Sequence, residues 1–243
     1  MRQYIYGKNT VFEALKGNKP VYQVYMMKNV KDNKIIEFAQ KKNAKVNIVT
    51  QKSVLNDLVG KVVHQGIVAQ VEGYDYYSID EIIASIPSSK QPLLLMLDGL
   101  EDPHNLGAIL RTCDAIEVDG VIIGKNRSVA LTPTVAKVST GAIDYVKVAQ
   151  VTNLSRTLDD LKKKGFWIVG CDLDNSQDYR SIDYNMPIVI VIGSEGFGIS
   201  RLVKKHCDMN VILPMSGHVT SLNASVATAV ILYQVYNSRH PFK

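Results

Sequence analysis

Apolar residues follow two different patterns along this chain. From Leu93 onward, short fully apolar runs alternate with stretches of helical periodicity. This predicts strands near residues 93–97, 120–123, 145–149, 166–170, 188–192 and 209–212, with helices mostly between them. Strand–helix alternation is typical of a mostly parallel sheet covered on both faces, so the C-terminal part is expected to be an α/β domain.

The first third has shorter apolar runs and predicts a small α/β domain of its own. Asn9 is expected to cap a helix, and residues 66–71 read as a strand that closes the domain. Further strands are expected at 21–27 and 45–49, with helices at 32–42 and 53–58. We expect an N-terminal domain over residues 1–75 and a C-terminal domain over 76–243. A linker and an entry helix, started by a capping box of Ser78 and Glu81, would cover about 74–91.

The charge is distributed unevenly between these two parts. Residues 1–73 carry 12 lysines and arginines against 5 acidic residues, a net charge of +7, whereas the remainder carries 16 against 18, a net charge of −2. A basic segment beside a near-neutral one favours a surface that holds nucleic acid next to a separate reaction centre, although a merely well-solvated lysine-rich domain has the same composition.

Several classes of protein are not expected from this sequence. The longest apolar runs are about five residues long, against the roughly 20 that a membrane helix needs, and the N-terminus lacks a secretory apolar stretch. The cysteines Cys113, Cys171 and Cys207 have no metal-binding spacing and are expected to be reduced thiols. We therefore expect a cytoplasmic protein without a membrane segment or a metal site.

The first chemical motif, DPHNLGAILRT, follows the strand at 93–97. Asp102 and Pro103 are suited to start a helix in which Leu106, Ile109, Leu110 and Cys113 form an apolar stripe. Arg111 lies about 140° away from that stripe, so packing does not explain it. By itself the motif is also compatible with a solvated arginine beside a capping Asn105.

The second motif, VIGSEGFGIS, follows the most strongly apolar strand of the chain. Its glycines permit positive φ angles and close approach of backbone to a ligand, and Glu195 supplies a carboxylate at the edge of the sheet. A cradle for nucleotide phosphates is the alternative, but the glycine spacing and the position late in the chain differ from the dinucleotide-binding fingerprint.

The third motif, LPMSGHVTSLNASVATA, leads from a strand into a helix expected over Ala224–Tyr236. Ser221 and Asn223 stand where the loop becomes that helix, and either residue is suited to cap it. A helix cap alone does not account for the whole run from Leu213 to Asn223.

Together the three motifs resemble the signatures of the SpoU (TrmH-like) family, within the SPOUT superfamily, of RNA ribose 2'-O-methyltransferases. The opening YGKNTVFEAL resembles the start of that family's N-terminal RNA-binding domain. The resemblance implies a trefoil-knotted C-terminal methyltransferase domain, an N-terminal domain similar to ribosomal protein L30e, and a homodimer. Members with this architecture resemble the bacterial 23S rRNA guanosine 2'-O-methyltransferases.

The resemblance also implies the site and its cofactor, S-adenosylmethionine. It assigns catalysis to Asn105, Arg111, Glu195 and Asn223, with Asn105 and Glu195 orienting the Arg111 guanidinium. It assigns cofactor binding to Gly193, Leu213, Ser221 and Leu222. Whether Arg111 accepts the proton of the ribose hydroxyl stays open, because a guanidinium holds its proton to above about pH 12.

Some alternatives remain at this point. His104 is an alternative base, because histidine is the residue type suited to proton transfer near neutral pH, but it occupies a variable position of the motif. The substrate is expected to be 23S rRNA, with tRNA as the alternative RNA because tRNA enzymes share all three motifs. A non-catalytic RNA-binding or ribosome-assembly protein with the same fold, or a resistance determinant acting on rRNA, is also compatible with the motifs.

Overall fold

The computed structural model describes residues 2–218 and 221–241. The chain forms two compact units. One comprises the residues up to Asp75 together with Leu131–Val138, and the other comprises Tyr76–Ala130 and the residues from Ser139 onward. None of the helices within the described residues has the length and apolar character needed to cross a membrane.

The first unit contains a mixed four-stranded sheet with helices. Its strands are β1 (Arg2–Tyr6), β2 (Val21–Met27), β3 (Lys45–Val49) and β4 (Ile67–Glu72), and its helices are α1 (Lys8–Lys16), α2 (Asn33–Lys41) and α3 (Lys52–Val59). The strand order is β1-β4-β2-β3, and only the pairing of β2 with β3 is parallel.

The strand expected at 66–71 is β4, the last strand of this unit. The strand β1 was not predicted, because only Ile5 of its five residues is buried. The expectation that Asn9 caps α1 is wrong, since the helix begins at Lys8, directly after Gly7. Gly7 has no side chain to offer, and the side-chain oxygen of Gln65 accepts a hydrogen bond from Lys8 N (2.9 Å) in its place.

The remaining strands form a seven-stranded sheet in the second unit. The strands are β5 (Leu93–Leu97), β6 (Gly120–Gly124), β7 (Val148–Val151), β8 (Trp167–Cys171), β9 (Ser176–Asp178), β10 (Ile188–Ile192) and β11 (Met209–Ile212). The helices are α4 (Ile79–Ala84), α5 (Pro103–Ala115), α6 (Pro133–Ser139), α7 (Leu154–Lys163), α8 (Arg201–Lys204) and α9 (Ala224–Arg239), with a short 3₁₀ helix at Ala142–Asp144. Most of α6 belongs to the first compact unit.

Every strand pairing in this sheet is parallel, and the order is β7-β6-β5-β10-β8-β11-β9. The prediction of an α/β fold with a mostly parallel sheet is confirmed, as are the strands at 93–97, 188–192 and 209–212. The strand expected at 145–149 begins later, at Val148, because Tyr145 and Val146 still donate hydrogen bonds to the turn at Ala142. The short strand β9 was not predicted.

The central strands explain where the functional loops lie. All five residues of β5 and all five of β10 are buried, since helices cover both faces of the sheet. Because the strands are parallel, the loops after β5, β10 and β11 emerge at one edge, which we call the carboxyl edge. The three sequence motifs are these three loops, and ligands of open α/β sheets bind at such an edge.

Candidate active site

The first motif is held by the start of α5. Asp102 caps the helix by accepting a hydrogen bond from His104 N (2.8 Å), and Pro103 occupies the first turn, both as expected. The predicted apolar stripe is fully buried. Asn105 is also buried, with 7% of its surface exposed, so its amide must find partners inside the protein.

The second motif forms a closed hairpin after β10. Ser194 and Gly198 exchange two backbone hydrogen bonds (3.1 and 2.9 Å), which leave Glu195, Gly196 and Phe197 in the turn. A Cβ atom added at Gly193 would lie 2.0 Å from the carbonyl carbon of Gly198. No side chain fits at that distance, so the hairpin requires glycine at position 193.

The third motif ends in a helix cap. Asn223 Oδ1 accepts hydrogen bonds from Ser225 N (3.0 Å) and Val226 N (3.4 Å), which satisfies free amides in the first turn of α9. The capping interpretation is thus correct for Asn223. The cap uses only the side-chain oxygen of Asn223, so its side-chain nitrogen is available to donate hydrogen bonds elsewhere.

Three of the four predicted catalytic side chains meet through that nitrogen. Asn223 Nδ2 donates to Glu195 Oε1 (2.6 Å) and to Asn105 Oδ1 (2.9 Å), while Asn105 Nδ2 donates to the same Glu195 oxygen (3.0 Å). The backbone N–H of Ala224 also donates to it (3.1 Å), which places the carboxylate at the positive end of α9. The cluster joins all three motif loops, although the motifs are far apart in sequence.

Arg111 does not join this cluster. It is exposed, and it makes no hydrogen bond or ion pair with any residue in the described part of the chain. Six residues separate it from Asn105 on α5, which corresponds to about 9 Å along the helix axis and about 120° around it. The expected contacts from Asn105 and Glu195 to the guanidinium are therefore not present in this structure.

The predicted cofactor residues line one cavity. Gly193, Leu213, Ser221 and Leu222 all contribute to a cavity of about 460 Å³ at the carboxyl edge, and Glu195 belongs to its wall. This volume falls within the range of about 300–1,000 Å³ that is typical of small-molecule sites. The loops after β8, β10 and β11 all contribute to the cavity.

Sequence reasoning missed the contribution of the loop after β8. Cys171, Asp172 and Leu173 line the cavity together with Lys204, whose Nζ lies 2.7 Å from Asp172 Oδ1. Hydrogen bonds to Asp172 and Asp174 raise the pKa of Lys204. Asp172 and Leu173 directly follow β8, which ends at the carboxyl edge, and this position is the sequence signal that identifies them.

The cavity fits an organic cofactor, and the one thiol among its lining residues is not a reactive thiolate. Burial raises the pKa of the Cys171 thiol to about 11, so this side chain is a neutral thiol near pH 7. Within residues 2–218 and 221–241, no group of three or more histidine, cysteine or acidic side chains is arranged to hold a metal ion. The hairpin, which depends on glycine, places main-chain groups on the wall of this cavity. A site that binds its ligand through backbone needs such groups.

Comparison with known proteins assigns this architecture to a family. The model of the SpoU rRNA Methylase family matches residues 92–233, and that of the RNA 2'-O ribose methyltransferase substrate binding family matches residues 4–77. The chain belongs to the SpoU methylase family. It is an RNA methyltransferase, and SpoU methyltransferases use S-adenosylmethionine.

Relatives of this SpoU-family protein cover nearly its whole length. YacO of Bacillus subtilis (strain 168), which carries the name of a TrmH family tRNA/rRNA methyltransferase, is 48% identical over 98% of this chain and 96% of its own. The SpoU methyltransferase AviRb of Streptomyces viridochromogenes, solved with AdoMet, has the same fold, with a TM-score of 0.65, 23% identity, and coverage of 99% of this chain and 92% of its own. A TrmH/SpoU tRNA modifying enzyme of A. aeolicus is 31% identical, with a TM-score of 0.57, over 62% of this chain and 77% of its own.

Proposed function

We propose that this protein transfers the methyl group of S-adenosylmethionine to a ribose 2'-hydroxyl of RNA, and that its substrate is a guanosine of 23S rRNA. The observation that carries this proposal is the hydrogen-bonded cluster of Asn105, Glu195 and Asn223, in which Glu195 lines the 460 Å³ cavity. A side-chain cluster of fixed geometry beside a cavity of cofactor size is what a group-transfer site needs.

We place the cofactor in that cavity. Backbone at Gly193, Leu213 and Leu222 and the side chain of Ser221 would hold it, and the apolar side chains of the two leucines exclude water from it. When bound, S-adenosylmethionine supplies an electrophilic methyl group on a sulfonium. The S–CH3 bond breaks as the O–CH3 bond forms, the hydroxyl proton is released to water, and this chain's own residues supply positioning and charge stabilisation.

Within the cluster, we assign different tasks to the carboxylate and to the amides. Asn223 fixes the start of α9 to the second motif, and Asn105 fixes α5 to the same carboxylate, so these two amides set the distance between the loops. Glu195 Oε1 is fully used by these contacts, whereas Oε2 has no partner among the described residues. We infer that Oε2 receives a donor only when RNA is bound.

Arg111 is the side chain we assign to the RNA. It is an exposed cation that has no carboxylate partner in the described structure. A guanidinium binds phosphate or a developing alkoxide with two parallel hydrogen bonds, and it would thereby lower the cost of removing the proton from the ribose hydroxyl. Asn105 and Glu195 thus shape the site, and Arg111 completes it from the substrate side.

The domain arrangement favours rRNA. We infer that residues 1–75 form an RNA-binding domain, because residues 1–73 carry a net charge of +7 against −2 for the remainder and because the substrate-binding family matches residues 4–77. The A. aeolicus tRNA modifying enzyme covers only 62% of this chain, less than the two family matches span together. A tRNA ribose therefore remains the second candidate substrate.

We also propose that the active form is a homodimer and that the C-terminal domain has the trefoil knot of its family. The exposed side of α9 carries Val226, Val230 and Tyr233, spaced four and three residues apart, with 48%, 37% and 45% of their surfaces exposed. Such a stripe on one helix is suited to pack against a second copy. Because α9 begins at Asn223, a dimer formed there would lie beside the proposed site.

Mapping of ribose methylation tests the substrate assignment. Ribosomal and transfer RNA from a strain that lacks the protein would be compared with RNA from the same strain carrying the wild-type gene. Loss of one mark at a 23S guanosine, restored by the gene, is the expected result. Loss of a tRNA mark would replace rRNA by tRNA, and an unchanged set of marks would contradict the proposed reaction and favour the non-catalytic RNA-binding alternative.

A further inference from the structure

Phe197 is the most exposed large apolar side chain of the described structure. Ninety-four per cent of its surface is accessible, although it stands beside the candidate active site and lines the cavity. Leaving an aromatic side chain in water forfeits the stabilisation that burial would give. An exposed aromatic side chain indicates a contact with a ligand when the surrounding backbone fixes its position.

The hairpin fixes that position. Phe197 is flanked by Gly196 at a φ of +86° and Gly198 at a φ of +65°, and the paired Ser194 and Gly198 close the turn. Glu195, two residues earlier, is held by the asparagine cluster and by the first amide of α9. Since consecutive Cα atoms are 3.8 Å apart, the Cα atoms of Glu195 and Phe197 are at most about 7.6 Å apart.

That separation is comparable to the distance between the ribose and the base of one nucleotide. We propose that Phe197 is the stacking platform for the base of the nucleotide whose ribose is methylated. This inference rests on the proposed function, because it takes the reacting ribose to lie at the Asn105, Glu195 and Asn223 cluster. It adds a residue that binds the target base.

The surroundings of Phe197 favour a nucleic-acid base over an apolar protein surface. Its immediate neighbours in sequence are glycines, so Phe197 is the one large apolar side chain of the turn, although Leu173, Met215 and Leu222 line the same cavity. Arg201 follows at the start of α8 as an exposed cation without an ion-pair partner in the described residues. An aromatic ring beside a cation is typical of sites for single-stranded nucleic acid, where stacking holds the base and the cation holds the phosphate.

Steady-state methyl transfer to RNA tests this role. The substrate is total RNA from the strain that lacks the protein, and S-adenosylmethionine affinity is measured separately by calorimetry. Phe197→Ala is expected to raise the KM for RNA by about 10- to 100-fold, the usual effect of losing one stacked base. Phe197→Tyr and Phe197→Trp should stay within about threefold of the wild type, whereas Phe197→Leu, apolar but without a π face, should behave like alanine.

Tyr145→Ala is the matched control, because Tyr145 is another aromatic residue with 79% of its surface exposed and lies outside the cavity wall. It should leave the KM for RNA unchanged. An unchanged KM for RNA in Phe197→Ala would overturn the inference. Weaker S-adenosylmethionine binding with unchanged RNA kinetics would also overturn it by assigning Phe197 to the cofactor, as would a change of oligomeric state by assigning it to a second copy.

A fluorescence measurement separates this inference from the proposed reaction. Trp167 is the only tryptophan, so Phe197→Trp in a Trp167→Phe background carries a single reporter at the hairpin. RNA should quench this reporter by stacking, even under conditions without turnover. Quenching without methyl transfer by the wild type would reject the proposed reaction and keep the base contact, whereas transfer without quenching would reject the base contact alone.

Discussion

The amino edge and the carboxyl edge of the seven-stranded sheet, where its strands begin and end, differ in how their polar groups are paired. At the amino edge, where the parallel strands begin, side chains close the strand ends. Asp119 accepts hydrogen bonds from Leu93 N (2.8 Å) and from Lys90 Nζ (2.7 Å), and Asp208 accepts from Ile168 N (2.9 Å) and from Lys162 Nζ (2.7 Å). Each aspartate thereby ties the start of its own strand to a neighbouring strand and to a lysine.

Arg239, at the end of α9, completes the same edge. Its guanidinium donates to the carbonyls of Tyr184 (2.9 Å), Gln91 (2.7 Å), Pro92 (3.3 Å) and Met186 (2.8 Å). These carbonyls belong to the segments that enter β5 and β10. Burial lowers the pKa of this arginine, and all four of these hydrogen bonds use its guanidinium as a donor to backbone.

The carboxyl edge also has paired groups, in the cluster of Asn105, Glu195 and Asn223, but it presents exposed groups beside them. Glu195 Oε2 and Arg111 have no protein partner in the described residues, and Phe197 is exposed. We infer that the contacts at the amino edge stabilise the fold, while the exposed groups at the carboxyl edge contact ligands. Changes at the two edges should therefore separate catalysis from stability.

The largest expected effect comes from Arg111→Lys. Lysine keeps the charge but cannot form the bidentate contact, so methyl transfer should fall about 100- to 1,000-fold while S-adenosylmethionine affinity stays within about twofold. Transfer of labelled methyl groups to RNA and calorimetry measure the two quantities. His104→Ala is the control and should keep most activity; a loss confined to His104→Ala would reassign the catalytic role to the histidine.

At the opposite edge, Arg239→Met should reduce stability instead of chemistry. Removing four donors from partly buried carbonyls is expected to lower the free energy of unfolding by about 2–4 kcal/mol. Urea unfolding followed by circular dichroism measures this loss. Arg180→Met is the control, because the exposed Arg180 guanidinium pairs with Asp178 at the surface, and its loss should leave the urea midpoint nearly unchanged. Equal losses in the two variants would contradict the proposed role of the amino edge.

A smaller effect is expected from Gly193→Ala, which tests whether the hairpin geometry serves the cofactor. The added Cβ would lie 2.0 Å from Gly198 backbone, so the hairpin must shift, at a cost of about 1–3 kcal/mol. S-adenosylmethionine should bind at least about 10-fold more weakly in calorimetry. Gly217→Ala is the control in the third motif, where an added Cβ meets no atom within 4 Å. Unchanged affinity in Gly193→Ala would remove the hairpin from the cofactor site.

The strands of the seven-stranded sheet differ in how well they could be predicted from the sequence. The fully apolar strands β5 and β10 were predicted with their observed bounds, because a strand buried on both faces leaves a continuous apolar run. The strand β9, Ser-Gln-Asp, was missed because it is the outermost strand of the sheet and its three polar residues give no hydrophobic signal. The contacts at Arg239 were also missed, since they join backbone carbonyls that no motif marks.

The site was predicted through motif resemblance more than through physical pattern. Asn105, Glu195 and Asn223 meet as the motifs led us to expect, and Gly193 occupies a position that only glycine fits. The expected contacts of Asn105 and Glu195 with the Arg111 guanidinium are absent from the described structure, because Arg111 lies about 120° around α5 from Asn105; its catalytic role stays a prediction. The periodicity of a helix predicts which side chains share a face, but it does not predict which of them contacts a substrate.

Hydrogen–deuterium exchange with and without S-adenosylmethionine tests most directly which edge binds. The comparison is meaningful because the amino edge also has a cavity, of about 560 Å³, lined in part by Lys90, Glu117 and Arg239. We predict that S-adenosylmethionine slows exchange in peptides covering 193–198 and 213–223 and leaves 89–93 and 235–240 unchanged. Protection at 89–93 and 235–240, with none in the two motif loops, would contradict the account.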